Sequence, residues 1–178
     1  KYHLADGYPF ELVDGGSTLS FQGITSWAHS AYTLSLILSH LRSLSPVLVE
    51  SGLEPTADDQ RLLRDWFQKI AAPALAAELR DARGWAFGYP RNDHSSFLDK
   101  LNEIWAAVKD GQAHVVPPAG APANVKDDEI DVIAARPHRD GDPGFPIAVA
   151  QVATGKNWKD KSVRSMVQNT FFDFWFLD

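Results

Sequence analysis

Two short apolar runs, separated by a turn-rich segment, place the strongest constraint on the fold of this chain. Residues 130–133 form an apolar run that contains Asp131, and residues 147–153 form a second run that contains Gln151. The segment 137–146 between them consists almost entirely of Pro, Gly, Asp, His and Arg, which is the composition of a turn. The pattern predicts two antiparallel strands joined by that turn. In such a hairpin a carboxylate and an amide lie side by side.

A lysine-rich turn follows the second run. Four basic residues fall within nine positions, namely Lys156, Lys159, Lys161 and Arg164. An oxygen-ligand metal site beside a local basic surface is what a metal-dependent phosphodiesterase requires, because its substrate is a polyanion while its metal needs anionic ligands. The alternative is that these charges are the solvated start of a helix.

The composition limits the class of protein. The 178 residues are 44% hydrophobic and 22% charged, which indicates a globular chain with a real core. The absence of cysteine excludes disulfides and thiolate zinc sites. A net charge of −6 argues against a protein that is basic throughout and coats nucleic acid. No apolar run is long enough for a membrane span and no signal peptide is evident, so the expected location is the cytoplasm, without a membrane partner.

The remaining patterns predict a mainly helical region over residues 1–92 and a mixed α and β core over 93–178, which together form one compact unit. Apolar residues at three- and four-residue spacing predict helices over 24–42, 56–79, 95–109 and 162–174. We expect Pro46 to end the first helix and Pro73 to kink or divide the second. The glycines and proline of 81–91 predict a break, and 113–116 a short strand. The aromatic residues 171–177 either finish the last helix or begin a further strand.

The order of these elements, with Asp131 and Gln151 on successive strands before a basic turn and helix, resembles the PD-(D/E)xK nuclease superfamily. The local sequences that carry the resemblance are Glu-Ile-Asp-Val-Ile-Ala and Gln-Val-Ala-Thr-Gly-Lys-Asn-Trp-Lys-Asp-Lys. More closely, they resemble a branch frequent in bacterial mobile-element and anti-phage defence loci, where Gln takes the second acidic position and the turn reads Gly-x-x-Trp-x-x-Lys. The resemblance covers residues 125–165. It implies an α+β fold with a restriction-endonuclease-like αβββαβ core and a mixed sheet.

The resemblance also implies a set of site residues. Asp131 would be the carboxylate ligand of Mg²⁺ or Mn²⁺, and Gln151 would replace the usual second acid with a weaker, neutral amide ligand. The backbone carbonyl of Val152 would complete the protein ligands. Glu103, on the helix before the first strand of the core, would add a further carboxylate. The alternatives are an edge-strand acid for Asp131, a strand hydrogen-bonding residue for Gln151 and a solvent-facing helical residue for Glu103.

One position departs from the family pattern. The family lysine normally lies two residues after the second acid, and this chain has Ala153 there. Its role, to orient the attacking water or to neutralise charge on the phosphate, must pass to another cation. Lys161 is preferred because it fits the turn pattern at the start of the next helix, and Lys156 is the second candidate. Lys159 and Arg164 would contact the nucleic acid with them.

The function that the resemblance implies is a metal-dependent DNA endonuclease, acting in anti-phage defence with DNA and other defence subunits as partners, with a homodimer as a plausible assembly. A second hypothesis is a nuclease fold that no longer cleaves and binds nucleic acid or a protein partner, which Gln151 and Ala153 favour. A third hypothesis is a mainly helical interaction module in which the hairpin is structural.

Overall fold

The chain folds as a mixture of α-helices and small antiparallel β-sheets. A computed structural model describes residues 8–52, 56–91, 93–142, 145–153, 160, 162 and 171–177. In these ranges no helix has the length and apolar character needed to cross a membrane. Contacts group the chain into two compact units, Lys1–Phe67 and Gln68–Asp178. The division therefore falls within the second predicted helix and upstream of residue 92.

The first unit contains a hairpin and a long helix. Strands β1 (Phe10–Val13) and β2 (Thr18–Phe21) pair antiparallel, and helix α1 (Trp27–Glu50) follows. The prediction that Pro46 ends this helix is wrong. A proline costs a helix one hydrogen bond and distorts the preceding turn, and the Val-Leu-Val-Glu sequence after it continues the helix to Glu50. Helix α2 (Ala57–Leu79) is a single helix with Pro73 inside it.

The second unit begins with the end of α2. It then contains, in chain order, strand β3 (Arg83–Ala86), helix α3 (Phe97–Val108), strands β4 (Gln112–Ala113), β5 (Val132–Ala135) and β6 (Ile147–Ala150), helix α4 (Phe172–Trp175) and strand β7 (Phe176–Leu177). Strands β5 and β6 pair antiparallel with Val132 opposite Ala150, which confirms the predicted hairpin. Strand β5 lies in the middle of a three-stranded sheet of order β3-β5-β6.

The third strand of this sheet comes from a segment where a break was predicted. Strand β3 pairs antiparallel with β5 across Arg83–Ala86, within the glycine-containing segment 81–91. Gly84 does not interrupt the strand, because its lack of a side chain lets α2 pack closely on it. A Cβ at that position would meet the Ala72 carbonyl oxygen at 2.2 Å. A glycine required for packing thus looks, in the sequence alone, like a turn signal.

The strand predicted over 113–116 is shorter and has a different partner. Strand β4 covers Gln112–Ala113 and pairs with β7 in a separate two-stranded sheet. The aromatic segment near the end contains a short helix, α4, followed by strand β7, so its last residues begin a further strand, which is one of the two predicted alternatives. Most of the helix predicted over 162–174 lies outside the described residues. All strand pairs in the described ranges are antiparallel, which differs from the mixed sheet that the resemblance implies.

The core of the second unit forms between α3, the three-stranded sheet and the aromatic segment. All four residues of β5 are buried. Helix α3 buries the apolar face that its periodicity predicts, and Phe97 on that face packs on Trp175 with ring centroids 4.6 Å apart. Phe87, just after β3, is fully buried and contacts the ring of Phe97 edge-on. This packing holds β5 firmly and leaves Asp131 at the point where the chain enters the buried strand.

Candidate active site

Asp131 lies immediately before β5, where the regular pairing of the sheet ends. Its backbone N–H donates to the carbonyl oxygen of Ala150 at 3.0 Å. Its carbonyl oxygen accepts from two consecutive amides, Phe87 at 2.7 Å and Gly88 at 3.0 Å. Two residues facing one is the pattern of a β-bulge, a feature that re-aims side chains and is frequent beside active sites. Both neighbouring strands therefore fix the backbone of Asp131.

The side chain of Asp131 is held as firmly as its backbone. One carboxylate oxygen, Oδ2, accepts from the Val152 amide at 2.7 Å. The other, Oδ1, accepts from Nε2 of Gln68 at 3.2 Å, and the same Nε2 lies 3.3 Å from the Asp131 carbonyl oxygen. These two bonds come from separate segments of the chain and together fix the orientation of the carboxylate.

Gln68 and Gly88 form part of this site, although no local sequence pattern distinguishes either residue. Gln68 is one polar residue among several on helix α2, and Gly88 belongs to the segment predicted as a break. A Cβ on Gly88 would lie 1.7 Å from Nε2 of Gln68 and 2.5 Å from Oδ1 of Asp131. Because Gly88 has no side chain, the Gln68 amide can occupy the space beside Asp131.

Gln151 and Val152 follow the last residue of β6. The last ladder pair is Val132 opposite Ala150, so Asp131 and Gln151 are the next residues on the two strands. Both are partly exposed, and Oε1 of Gln151 is buried. Val152 contributes its N–H to Asp131. The ligand roles expected for the Gln151 amide and for the Val152 carbonyl remain predictions.

Other predicted site residues are not joined to Asp131 by a described contact. Glu103 lies on α3, half-exposed, and its Oε2 pairs with Nζ of Lys100 at 2.7 Å. No contact among the described residues connects Glu103 with Asp131, so its role as a ligand also remains a prediction. The residues of the predicted basic turn lie outside the described ranges, namely Lys156, Lys159, Lys161 and Arg164.

A cluster of alternating charges lies on the neighbouring elements. Lys100 Nζ bonds Asp93 at 2.9 Å as well as Glu103, and its side chain is only 13% exposed. Burial opposes the charge on Lys100, but the hydrogen bonds to Glu103 and Asp93 prevail and raise its pKa. Hydrogen bonds from Lys100 and from Ser95 hold the pKa of the Asp93 carboxyl well below its usual range. Both members of the Lys100–Asp93 pair are therefore charged at neutral pH.

Arg91 is a buried cation within the same region. Its guanidinium donates to the carbonyl oxygens of Lys126 and Ser95 and lies 4.9 Å from the centre of the Phe87 ring. Burial lowers its pKa, and the nearby Asp127 carboxylate opposes that shift. An arginine pKa starts so high that the group stays charged at neutral pH.

A pocket of about 300 Å³ opens beside Asp131. Among the residues that line it are Gln68, Trp85, Gly88, Arg91, Asp93 and Lys100. Gln68 and Gly88 belong both to this pocket and to the surroundings of Asp131, so the two features are contiguous.

The oxygen donors near Asp131 fit a divalent cation only in an open site. The donor that the described contacts establish is the Asp131 carboxylate, and Mg²⁺ commonly takes one or two carboxylates and completes its shell with water and substrate phosphate. In the described part of the chain, no group of three or more His, Cys, Asp or Glu side chains is arranged to hold a metal. No protein-family model, curated protein or solved structure matches this chain.

Proposed function

We propose that the chain is a metal-dependent phosphodiesterase that cleaves DNA as an endonuclease, with a core of the restriction-endonuclease type in its Gln-containing branch. One observation carries the proposal. The Asp131 carboxylate stands at the open end of a buried central strand, oriented by the Gln68 side chain and the Val152 amide. A charged group next to a buried strand costs stability unless hydrogen bonds or a partner charge compensate it, and two oriented hydrogen bonds from separate elements are typical of a preorganised site.

Each residue of the proposed site has a separate role that follows from its charge and its position. Asp131 supplies the anionic oxygen for the cation, and Gln68 and Val152 fix the direction in which that oxygen points. Gln151 supplies a neutral amide oxygen, which binds a hard cation less strongly than a carboxylate. When bound, Mg²⁺ supplies positive charge that makes water more acidic and offsets negative charge on the phosphate. Lys161, or Lys156 in its place, supplies the cation that the family lysine usually provides.

The context of the proposed activity follows from the same resemblance. A chain with a net charge of −6 needs a local basic surface to hold DNA, and the Lys156 to Arg164 segment concentrates positive charge in the sequence. Cleavage of both strands by one site per chain favours a homodimer. The expected setting is anti-phage defence, with other subunits that control a toxic nuclease.

A nuclease fold that binds without cleaving is the second candidate. The observation that favours it is the donor set, since the described residues contain no group of three or more His, Cys, Asp or Glu side chains arranged to hold a metal, and Ala153 occupies the usual lysine position. A site built this way retains a basic binding surface and loses affinity for the cation.

The experiment that tests the proposal is cleavage of supercoiled plasmid and linear duplex DNA with Mg²⁺ or Mn²⁺. Wild-type protein is compared at equal concentration with Asp131→Asn, Lys161→Ala and the control Asp81→Asn, which removes an exposed carboxylate from the same unit. We expect metal-dependent cleavage by the wild type and the control, loss of cleavage in Asp131→Asn, and a strong reduction in Lys161→Ala.

Two outcomes contradict the proposal. Cleavage retained by Asp131→Asn would remove Asp131 from the reaction. DNA binding without metal-dependent cleavage by a folded wild-type chain would support the second candidate instead.

A further inference from the structure

One face of the β1–β2 hairpin is apolar and largely uncovered. The strand register places Leu12 opposite Leu19 and Phe10 opposite Phe21. Successive side chains of a strand point to opposite faces, so these four side chains share one face of the hairpin. Helix α1 reaches the Phe10 end of that face through Tyr32. Leu12, Leu19 and Phe21 are nevertheless 53–64% exposed.

The exposed apolar residues continue along the chain beyond the hairpin. Ile24 and Trp27 follow β2 closely, Trp27 is the first residue of α1, and both are more than half-exposed. Single apolar side chains on a protein surface are normal, whereas a group of large ones marks an interaction site. We call this group the hairpin surface, and its members are Leu12, Leu19, Phe21, Ile24 and Trp27.

The hairpin surface consists of uncharged residues in a chain whose net charge is −6. Glu11 is the one charged residue in the sequences of the two strands, and the alternation places it on the opposite face with its partner Ser20. Copies of an acidic protein repel each other, so copies associate best through an area that brings no like charges together. The hairpin surface meets this condition, and its five side chains offer no cation to a polyanion such as nucleic acid.

The area of the hairpin surface is sufficient for a small symmetric interface. A large apolar side chain offers about 150–250 Å², so five that are slightly more than half-exposed present roughly 500 Å² per copy. Two copies that bury the same group hide about 1,000 Å² in total, which is the size at which a specific interface begins. Polar residues at the rim enlarge such a contact further.

We propose that the hairpin surface is the interface of a homodimer, in which a second copy of the chain covers it with the same five residues. A two-fold axis makes this contact isologous, because each copy presents the same group to the other. The proposal rests on the homodimer named under the proposed function and assigns a surface to it. It does not require that the chain cleaves DNA.

The test is sedimentation velocity of the chain without DNA or metal, over protein concentrations from about 1 to about 200 µM. An interface of this size gives weak association, so we expect a monomer–dimer equilibrium with a Kd of about 1–100 µM. Leu19→Lys and Leu12→Lys each place a charge in the proposed contact, twice in a symmetric dimer. We expect each to raise the Kd at least about tenfold, because like charges meet in a desolvated interface.

The matched control is Thr18→Lys. Thr18 is exposed, precedes Leu19 in the same strand and lies on the opposite face of the hairpin. It adds the same charge outside the proposed contact, so its Kd should stay within about twofold of the wild-type value. Circular dichroism should show the same secondary structure for all variants, since each substituted side chain is exposed in the single chain.

Three results overturn the proposal. A wild-type chain that stays monomeric over the whole range would assign the hairpin surface to a different partner or to another part of a longer protein. A dimer that Leu19→Lys and Leu12→Lys leave intact, or that Thr18→Lys weakens equally, would form through another surface. Assembly that continues beyond the dimer would exclude the closed two-fold contact.

These results are separate from the test of the nuclease. A chain that dimerises as expected and never cleaves DNA with metal keeps the interface and loses the endonuclease. A monomeric chain that cleaves DNA in an Asp131-dependent manner keeps the endonuclease and loses the interface.

Discussion

Three separate segments position the Asp131 carboxylate. The amides of Phe87 and Gly88 hold its carbonyl oxygen, the Val152 amide holds one carboxylate oxygen, and Gln68 holds the other. Hydrogen bonds to an ionised group are shorter and stronger than neutral ones. The bonds to the carbonyl oxygen fix the backbone of Asp131, and the bonds to the carboxylate restrict rotation of its side chain. The direction of the carboxylate is therefore set before any ligand binds.

Gly88→Ala tests the space on which this arrangement depends. The new methyl group would collide with the Gln68 amide, which is the far end of a flexible side chain, and with Asp131 Oδ1. We expect a loss of about 1–2 kcal/mol in the free energy of unfolding, measured by urea denaturation. In a Gln68→Ala background the loss should shrink by at least about 0.5 kcal/mol, because the main obstacle is gone. Strictly additive effects of the two substitutions would mean that Gln68 does not fill that space.

Asp93 gives a prediction about pH. Its bonds to Lys100 and Ser95 lower the pKa of the folded carboxyl below the unfolded value of about 3.9. A lowered pKa contributes stability that is complete above the unfolded pKa and is lost as pH falls through that range toward the folded pKa. The difference in unfolding free energy between wild type and Asp93→Asn should therefore be constant above about pH 5 and decrease below about pH 4. Because Asp93 is about half-exposed, the effect is expected to be small.

The contrary result would be a wild-type advantage over Asp93→Asn that stays constant, or grows, on acidification. Asp81→Asn removes an exposed carboxylate with a 3.8 Å ion pair from the same unit and provides the matched control.

At the scale of elements, the contact between α2 and β3 positions Gln68 beside Asp131. Gly84 lies in β3 where its missing Cβ would meet the backbone of Ala72, with the carbonyl oxygen at 2.2 Å and the carbonyl carbon at 2.8 Å. Backbone atoms cannot rotate away as a side chain does. Close approach of helix and strand at this point therefore sets how far the Gln68 amide reaches toward Asp131.

Gly84→Ala should consequently cost more stability than Gly88→Ala. We expect a loss of about 2–3 kcal/mol in the free energy of unfolding, because α2 must move away from β3 as a whole. Gln68→Ala should not relieve this loss, in contrast to its effect on Gly88→Ala. Urea denaturation of the single and double variants makes the comparison. A Gly84→Ala protein as stable as wild type would show that the helix does not approach the strand this closely.

At the scale of the whole molecule, stability is expected to differ between the two compact units. In the second unit, β5 is buried along its entire length between two paired strands. In the first unit, β1 and β2 form a two-stranded hairpin that leaves Leu12 and Phe21 more than half-exposed. Two strands alone are marginally stable in water, so this hairpin depends on its packing against α1, where Phe10 contacts the ring of Tyr32.

Hydrogen exchange measured by mass spectrometry should reveal this difference. Peptides covering β5 should exchange slowest, with protection close to that of global unfolding, whereas peptides covering β1 and β2 should exchange faster because local opening suffices. Equal protection of β1 and β5 would indicate that further contacts stabilise the hairpin.

The sequence by itself determined the features that depend on neighbouring residues. The β5–β6 hairpin follows from two apolar runs around a turn-forming segment, and it brings Asp131 and Gln151 to adjacent positions. The buried face of α3 follows from apolar residues at helical spacing. These patterns can be recognised in the sequence because side chains on one face recur every two residues along a strand and about every 3.6 residues along a helix. The predictions drawn from Pro46 and from the glycines of 81–91 failed because local propensity is a weak guide when packing favours a helix or a strand.

Only the tertiary structure decided which distant residues complete the site. Gln68 is 63 positions from Asp131, and nothing in the local sequence distinguishes it from any other polar helical residue. The strand character of β3 and the space at Gly88 likewise depend on a helix packed from outside the segment. Strand β4 pairs with β7 because folding brings the chain end back to it. Sequence periodicity reflects which face of a local helix or strand is buried. The contacts described above join residues far apart in the sequence, so they depend on which elements pack together in the folded core.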